Sequence, residues 1–211
     1  MPSGSGLSEA RARSRRQQPD ASVRNHLRAR TAQAHARLDD LPVFHPILAG
    51  HADWPDYVRL LGAYHAFYTA ACQTLHAGYR ELLPFGVDPP EREPLATLAG
   101  DLLALGAQPA GPAPRLHATT PARAVGWVWV VEGSSLGAVV IDRALDALFG
   151  ARRDGRRFFE PLPNKGIRWN GVCASMEGYG QRRDALECIA AGAQEAFVFI
   201  ERCLRYAHYD V

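Results

Sequence analysis

His35 and Asp39 stand one helical turn apart in the stretch RARTAQAHARLD, residues 28–39. At that spacing the carboxylate can accept a hydrogen bond from one ring nitrogen and leave the other to ligate a metal. His35 follows Thr31 by four residues and precedes Leu38 by three, so the pattern places it on the core side of its helix. A lone histidine on such a stripe can equally be a core residue satisfied by a neighbour. The second constellation is made of glycines. Gly126, Gly133 and Gly137 are spaced by seven and four and share one face of a helix. Each costs roughly 1 kcal/mol against alanine in a helix interior. Either another helix crosses there at close range or a flat ligand lies against the backbone. Ser134 and Ser135 follow Gly133, but EGSSLG is not a nucleophile elbow, because no strand precedes it. His65 and His76 lie among aromatics and read as core or surface residues. The sequence holds no HExxH, no Glu-x-x-His pair, no CxxC and no glycine-rich phosphate loop.

The elements that must carry these residues are helices. Ser22 or Asp20 can cap a first helix with Val23, Leu27, Thr31, Ala34 and Leu38 on one stripe. Residues 41–51 read as a loop or short helix. Asp53 caps a long amphipathic helix with Pro55 in its first turn, and residues 84–90 interrupt it. A further helix spans about 94–105, and residues 106–114 are a proline- and glycine-rich connector. Pro121 and Gly150 bound the glycine-bearing helix, in which Val125, Trp129, Leu136, Val140, Leu145 and Leu148 recur at helical spacing. Residues 152–163 form an arginine-rich loop. Helices are expected over 168–176 and 182–206. With no alternating strand pattern and no repeat, the class is all-α, a single-domain multi-helix bundle over residues 21–211. Residues 1–20, with one leucine among Ser, Gly, Arg and Gln, read as a disordered tail.

Composition narrows the function classes. At 211 residues, 47% hydrophobic and 22% charged, the chain suits one globular domain. A net charge of +2 without a basic, aromatic-interleaved stripe argues against nucleic acid. The N-terminus lacks the apolar core of a secretory signal, and the apolar run 125–131 stops at Glu132, so no membrane span is expected. Four scattered cysteines suit a reduced, cytoplasmic protein.

A histidine helix facing a glycine-paved helix describes a sandwich for a porphyrin. The segment from Leu27 to Asp39 resembles the proximal helix of heme oxygenases, and VWVVEGSSLG, residues 128–137, resembles their distal helix. DLLALG at 101–106, GRRFF at 155–159 and the pair Arg168-Trp169 are most similar to the bacteriophytochrome-linked bacterial branch. The resemblance runs from about residue 22 to 206. It implies heme b as both cofactor and substrate, with O2 and an external electron donor of the ferredoxin or reductase type. The products implied are biliverdin, CO and ferrous iron, with biliverdin passed to a bacteriophytochrome. His35 is then the proximal iron ligand and Asp39 its hydrogen-bond partner. Gly133 and Gly137 supply the close distal backbone. Ser134 stands where several members carry an aspartate that orders water, and a serine can position a water but carries no charge. Trp129 replaces a usual tyrosine that in some members reaches a propionate, and Ala138 replaces a frequent second glycine. Arg28, Lys165 and Arg168 are the candidate cations for the propionates.

Two other readings stay open on sequence. One is a non-catalytic heme-binding or heme-sensing protein, motivated by Trp129 and Ala138. The other is a scaffold of the same fold with a non-heme substrate, as in thiamine-degrading relatives, for which no cysteine or carboxylate cluster is visible.

Overall fold

Ser22 opens the first helix, α1 (Val23–Asp39), by accepting the Asn25 N–H at 3.1 Å. A computed structural model describes residues 22–109, 116, 119–150, 152–161 and 163–206; the tail expected over 1–20 lies outside them. A 3-10 turn (Pro42–Phe44) and the short α2 (His45–Leu48) occupy the stretch read as loop or short helix. Asp53 and Asp56 form a capping box at the start of α3 (Trp54–Leu82), with a proline in its first turn. A 3-10 turn at Leu83–Phe85 then ends at Gly86, where φ is 85°. Beyond it lie α4 (Pro94–Ala104), α5 (Pro121–Phe149), α6 (Lys165–Tyr179) and α7 (Ala185–Tyr206). Among the described residues there is no strand. Two boundaries differ from expectation for a backbone reason. Asp184 adopts φ 60° and delays α7, and Asn164 adopts φ 62° just before α6 begins, earlier than expected.

The bundle is built on α5, whose N-terminal half is clasped between α3 and α7. Small residues let the backbones meet. A Cβ on Gly78 of α3 would come within 2.8 Å of the Ala124 carbonyl carbon, and one on Gly192 of α7 within 2.6 Å of that of Arg123. By length and composition α5 could cross a membrane, yet residues 124–130 are all buried within the protein. The other long helix, α3, turns Tyr57, Tyr68 and Tyr79 inward; eleven residues are just over three turns, so the three share one face. Their neighbourhood includes Tyr64, stacked edge-on to Phe159 at 5.4 Å.

The first helix takes a different support. It packs chiefly on α7 and α6. Both α1 and α5 thus lean on α7. The arginine-rich loop after α5 is fixed from within. Arg156 is wholly buried and donates to the carbonyls of Gly150 and Arg152, each at 2.9 Å, and to Asp146 Oδ1 at 2.6 Å. Asp101 of α4 accepts the N–H groups of Arg157 and Phe158 at 3.0 and 2.8 Å.

Candidate functional site between α1 and α5

Along α1 the buried positions are Val23, Leu27, Thr31 and Ala34. His35 comes next and is turned about 100° from Ala34. Its side chain is therefore 63% exposed, not on the core side as the stripe predicted. The ring rests tilted against Phe197 of α7, 5.9 Å between centroids. Its Nδ1 lies 2.9 Å from Asp39 Oδ2, the pairing the sequence suggested. With the Nδ1 proton given to the carboxylate, Nε2 holds the lone pair. No hydrogen bond among the described residues uses Nε2.

On α5 the three glycines have three different neighbours. Gly126 is a helix crossing: a Cβ there would fall on the Ile189 carbonyl and within 2.5 Å of the Ala193 nitrogen. Gly133 lies under an indole, and its Cβ would meet Trp169 Cη2 at 3.2 Å. At Gly137 a Cβ would meet nothing within 4 Å. The crossing that the spacing allowed is present at the N-terminal end of the face, and the backbone at its C-terminal end is open. Leu136 and Val140, two of the residues that recur at helical spacing, are 45% and 58% exposed beside Gly137. The stripe loses its partner because α7 has already crossed at Gly126. Ser134 donates its hydroxyl to the Val131 carbonyl at 2.7 Å, so its oxygen can still accept.

One group went unnoticed in the sequence. Glu132 is buried and accepts the Tyr79 hydroxyl at 2.6 Å and Arg168 Nε at 2.9 Å. Arg168 also donates to the Asp88 carbonyl at 3.0 Å. A carboxylate within an apolar helical run was the available signal, since such a residue is buried only when paired. The ion pair holds the Arg168 guanidinium above its ordinary pKa against the desolvation that would lower it. Burial first, and the Glu132 charge second, push the Tyr79 hydroxyl well above its usual range. Arg168 is thereby committed to Glu132 and is not a free cation for an anionic ligand. The Lys165 side chain lies outside the described residues.

Arg28 is exposed and forms no ion pair among the described residues. It borders a cavity of about 410 Å3 between α1 and α6, with Arg24, Asn25 and Cys173. Glu177 closes the far wall by accepting the N–H groups of Val23 and Arg24 at 2.9 and 3.2 Å. Trp129 is buried and tilted against Trp169 at 6.0 Å. The indole N–H groups of both are buried without a protein partner. All four cysteines are free thiols, and burial pushes that of Cys203 up to about 11.

No family model matches the chain. A curated heme oxygenase from Xanthomonas campestris pv. campestris (strain 8004) is 30% identical over 155 residues, 74% of this chain and 92% of that relative. The chain belongs to the heme oxygenase family. Its fold agrees. The NO- and CO-bound heme oxygenase of Neisseria meningitidis superimposes with a TM-score of 0.74 at 24% identity, over 90% of this chain and 96% of that one. A domain of unknown function with a heme oxygenase-like fold from Shewanella denitrificans OS217 gives a TM-score of 0.64 at 13% identity, over 90% and 93%.

Proposed function

We propose that the protein is a heme oxygenase that binds heme between α1 and α5 and opens it to biliverdin, CO and ferrous iron. Two observations carry the reading: on α1 the Asp39 hydrogen bond leaves His35 Nε2 free, and on α5 the backbone at Gly137 is open. The donor set suits heme: a neutral imidazole for the iron, an apolar surface at Leu136 and Val140 for the ring, and an unpaired Arg28 for a propionate. When bound, heme supplies both the iron that activates O2 and the ring that is cleaved. The chain's own residues do the rest. Asp39 holds the imidazole in one tautomer and one orientation. Gly137 keeps the distal backbone without a side chain where the ligand must come close. Ser134 can accept a hydrogen from a water near that backbone but cannot supply a charge. Trp129 cannot offer the hydroxyl of the tyrosine usual there, and Arg168 is spoken for, so Arg28 and Lys165 remain as the propionate cations. Heme b, O2 and an external ferredoxin- or reductase-type donor are the partners this reading requires. A bacteriophytochrome would take the biliverdin, a proposal resting on the DLLALG, GRRFF and Arg168-Trp169 stretches.

The test is spectroscopic. Ferric heme titrated into the purified protein should give a Soret band, and His35→Ala should weaken or abolish it. Ascorbate or a ferredoxin–reductase pair under O2 should then bleach the band as biliverdin appears. An apo-bacteriophytochrome added to the mixture should take up the product as chromophore. A Soret band that survives reduction in air would favour the non-catalytic heme binder, which the buried Trp129 supports. No Soret band at all would leave a non-heme ligand.

A further inference from the structure

We infer that Trp169 is the wall that seats a flat macrocycle along α5, and that the glycine at position 133 serves this indole, not the ligand. The inference rests on the reading that heme lies between α1 and α5, and it names a residue that fixes its placement there. A Cβ on Gly133 would meet Trp169 Cη2 at 3.2 Å and Cζ3 at 3.4 Å, while one turn further a Cβ on Gly137 would meet nothing within 4 Å. Covered and open backbone are therefore separated by a single turn, roughly 6 Å of helix rise. The indole is only 8% exposed and lies tilted against Trp129, 6.0 Å between ring centroids. The helix that bears it is anchored at the preceding residue. Arg168 is gripped by Glu132, which lies next to Gly133 in the chain. The same turn of α5 thus holds the tryptophan and makes room for it.

A rigid ring at that place limits how far a flat ligand can slide toward the N-terminal end of α5. It thereby sets which edge of the ligand lies over the open backbone at Gly137. For a macrocycle whose edge nearest that backbone is cleaved, Trp169 is a specificity-determining residue for the position of cleavage. Gly133 is linked to it, because a methyl there would force the ring to give by a few tenths of an ångström.

The experiment compares wild type, Trp169→Leu, Gly133→Ala and the double variant, each loaded with ferric heme and cyanide. The hyperfine-shifted heme-methyl resonances in the proton NMR spectrum report how the ring is seated, independently of turnover. Trp169→Leu should change the methyl pattern and, on turnover, the ratio of biliverdin isomers. Gly133→Ala should also change the pattern, and should have no further effect once Trp169 is leucine. A wild-type methyl pattern in both single variants overturns the inference. If thermal unfolding shows that Trp169→Leu does not fold, Gly133→Ala alone decides: a shifted pattern supports the inference and an unshifted one overturns it. Absence of a heme spectrum in wild type, or its full survival in His35→Ala, overturns the underlying reading and takes the inference with it.

Discussion

A glycine in a helix can mean opposite things at two ends of one face, and substitution separates them. Gly126 is pressed against α7 backbone, which cannot retreat, so Gly126→Ala should lower apo stability by about 1–3 kcal/mol or more through overpacking. Gly137 has open space, so Gly137→Ala should leave the apo protein unchanged or more stable by up to about 1 kcal/mol, the helix-propensity gain. The same alanine should slow heme breakdown if the distal backbone must come close to the ligand. Apo thermal melts of both variants, with single-turnover heme decay for Gly137→Ala, decide the matter. A Gly137→Ala protein that melts low but turns over normally would remove the ligand-facing role of that glycine. Spacing could not distinguish the two residues. Both fit the same helical face, and only the position of the α7 crossing tells one end of that face from the other.

Helix ends were legible because their chemistry is local. Asp53 with its proline, Pro121 and Gly150 each act within one turn; α3 begins, and α5 begins and ends, where those residues stand. Burial was less legible, because periodicity reports a face and not the neighbour that covers it. Leu136 and Val140 keep the period and yet face outward. His35 and Asp39 were found as a pair, though the ring lies outside the core. The Glu132 anchor escaped because its partners come from α3 and α6, distant in sequence. Its contribution is measurable. Glu132→Ala would leave the Tyr79 hydroxyl and the Arg168 guanidinium unpaired. The expected cost is about 2–3 kcal/mol, less than for a fully buried pair because the Arg168 side chain is 31% exposed. Urea unfolding should show this loss in the apo protein. An unchanged midpoint would mean that α6 is held by packing alone.

For the whole molecule, we propose that residues 21–211 act as one domain and that residues 1–20 add nothing to it. That segment has a single leucine with which to anchor itself. Deleting residues 1–20 should therefore leave heme affinity and Tm nearly unchanged. A fall of many degrees in a melt of the truncated protein would show that the segment packs on the body.

The row of Tyr57, Tyr68 and Tyr79 along α3 sets an alkaline limit on the fold. Burial pushes all three hydroxyls above their ordinary value of 10. In the unfolded chain each ionises near pH 10, while in the native bundle each keeps its proton. Their stabilising effect is thus complete below pH 10 and is lost as pH rises beyond it. Three such groups steepen the loss to about 4 kcal/mol per pH unit, against a total of about 5–15 kcal/mol for a domain. The share of the phenolate absorbance near 295 nm that Tyr57→Phe, Tyr68→Phe and Tyr79→Phe remove should then stay low past pH 10 and rise in one step, coincident with loss of helical circular dichroism. A gradual rise that precedes unfolding would mean that alkali reaches these rings while the helices are still in place.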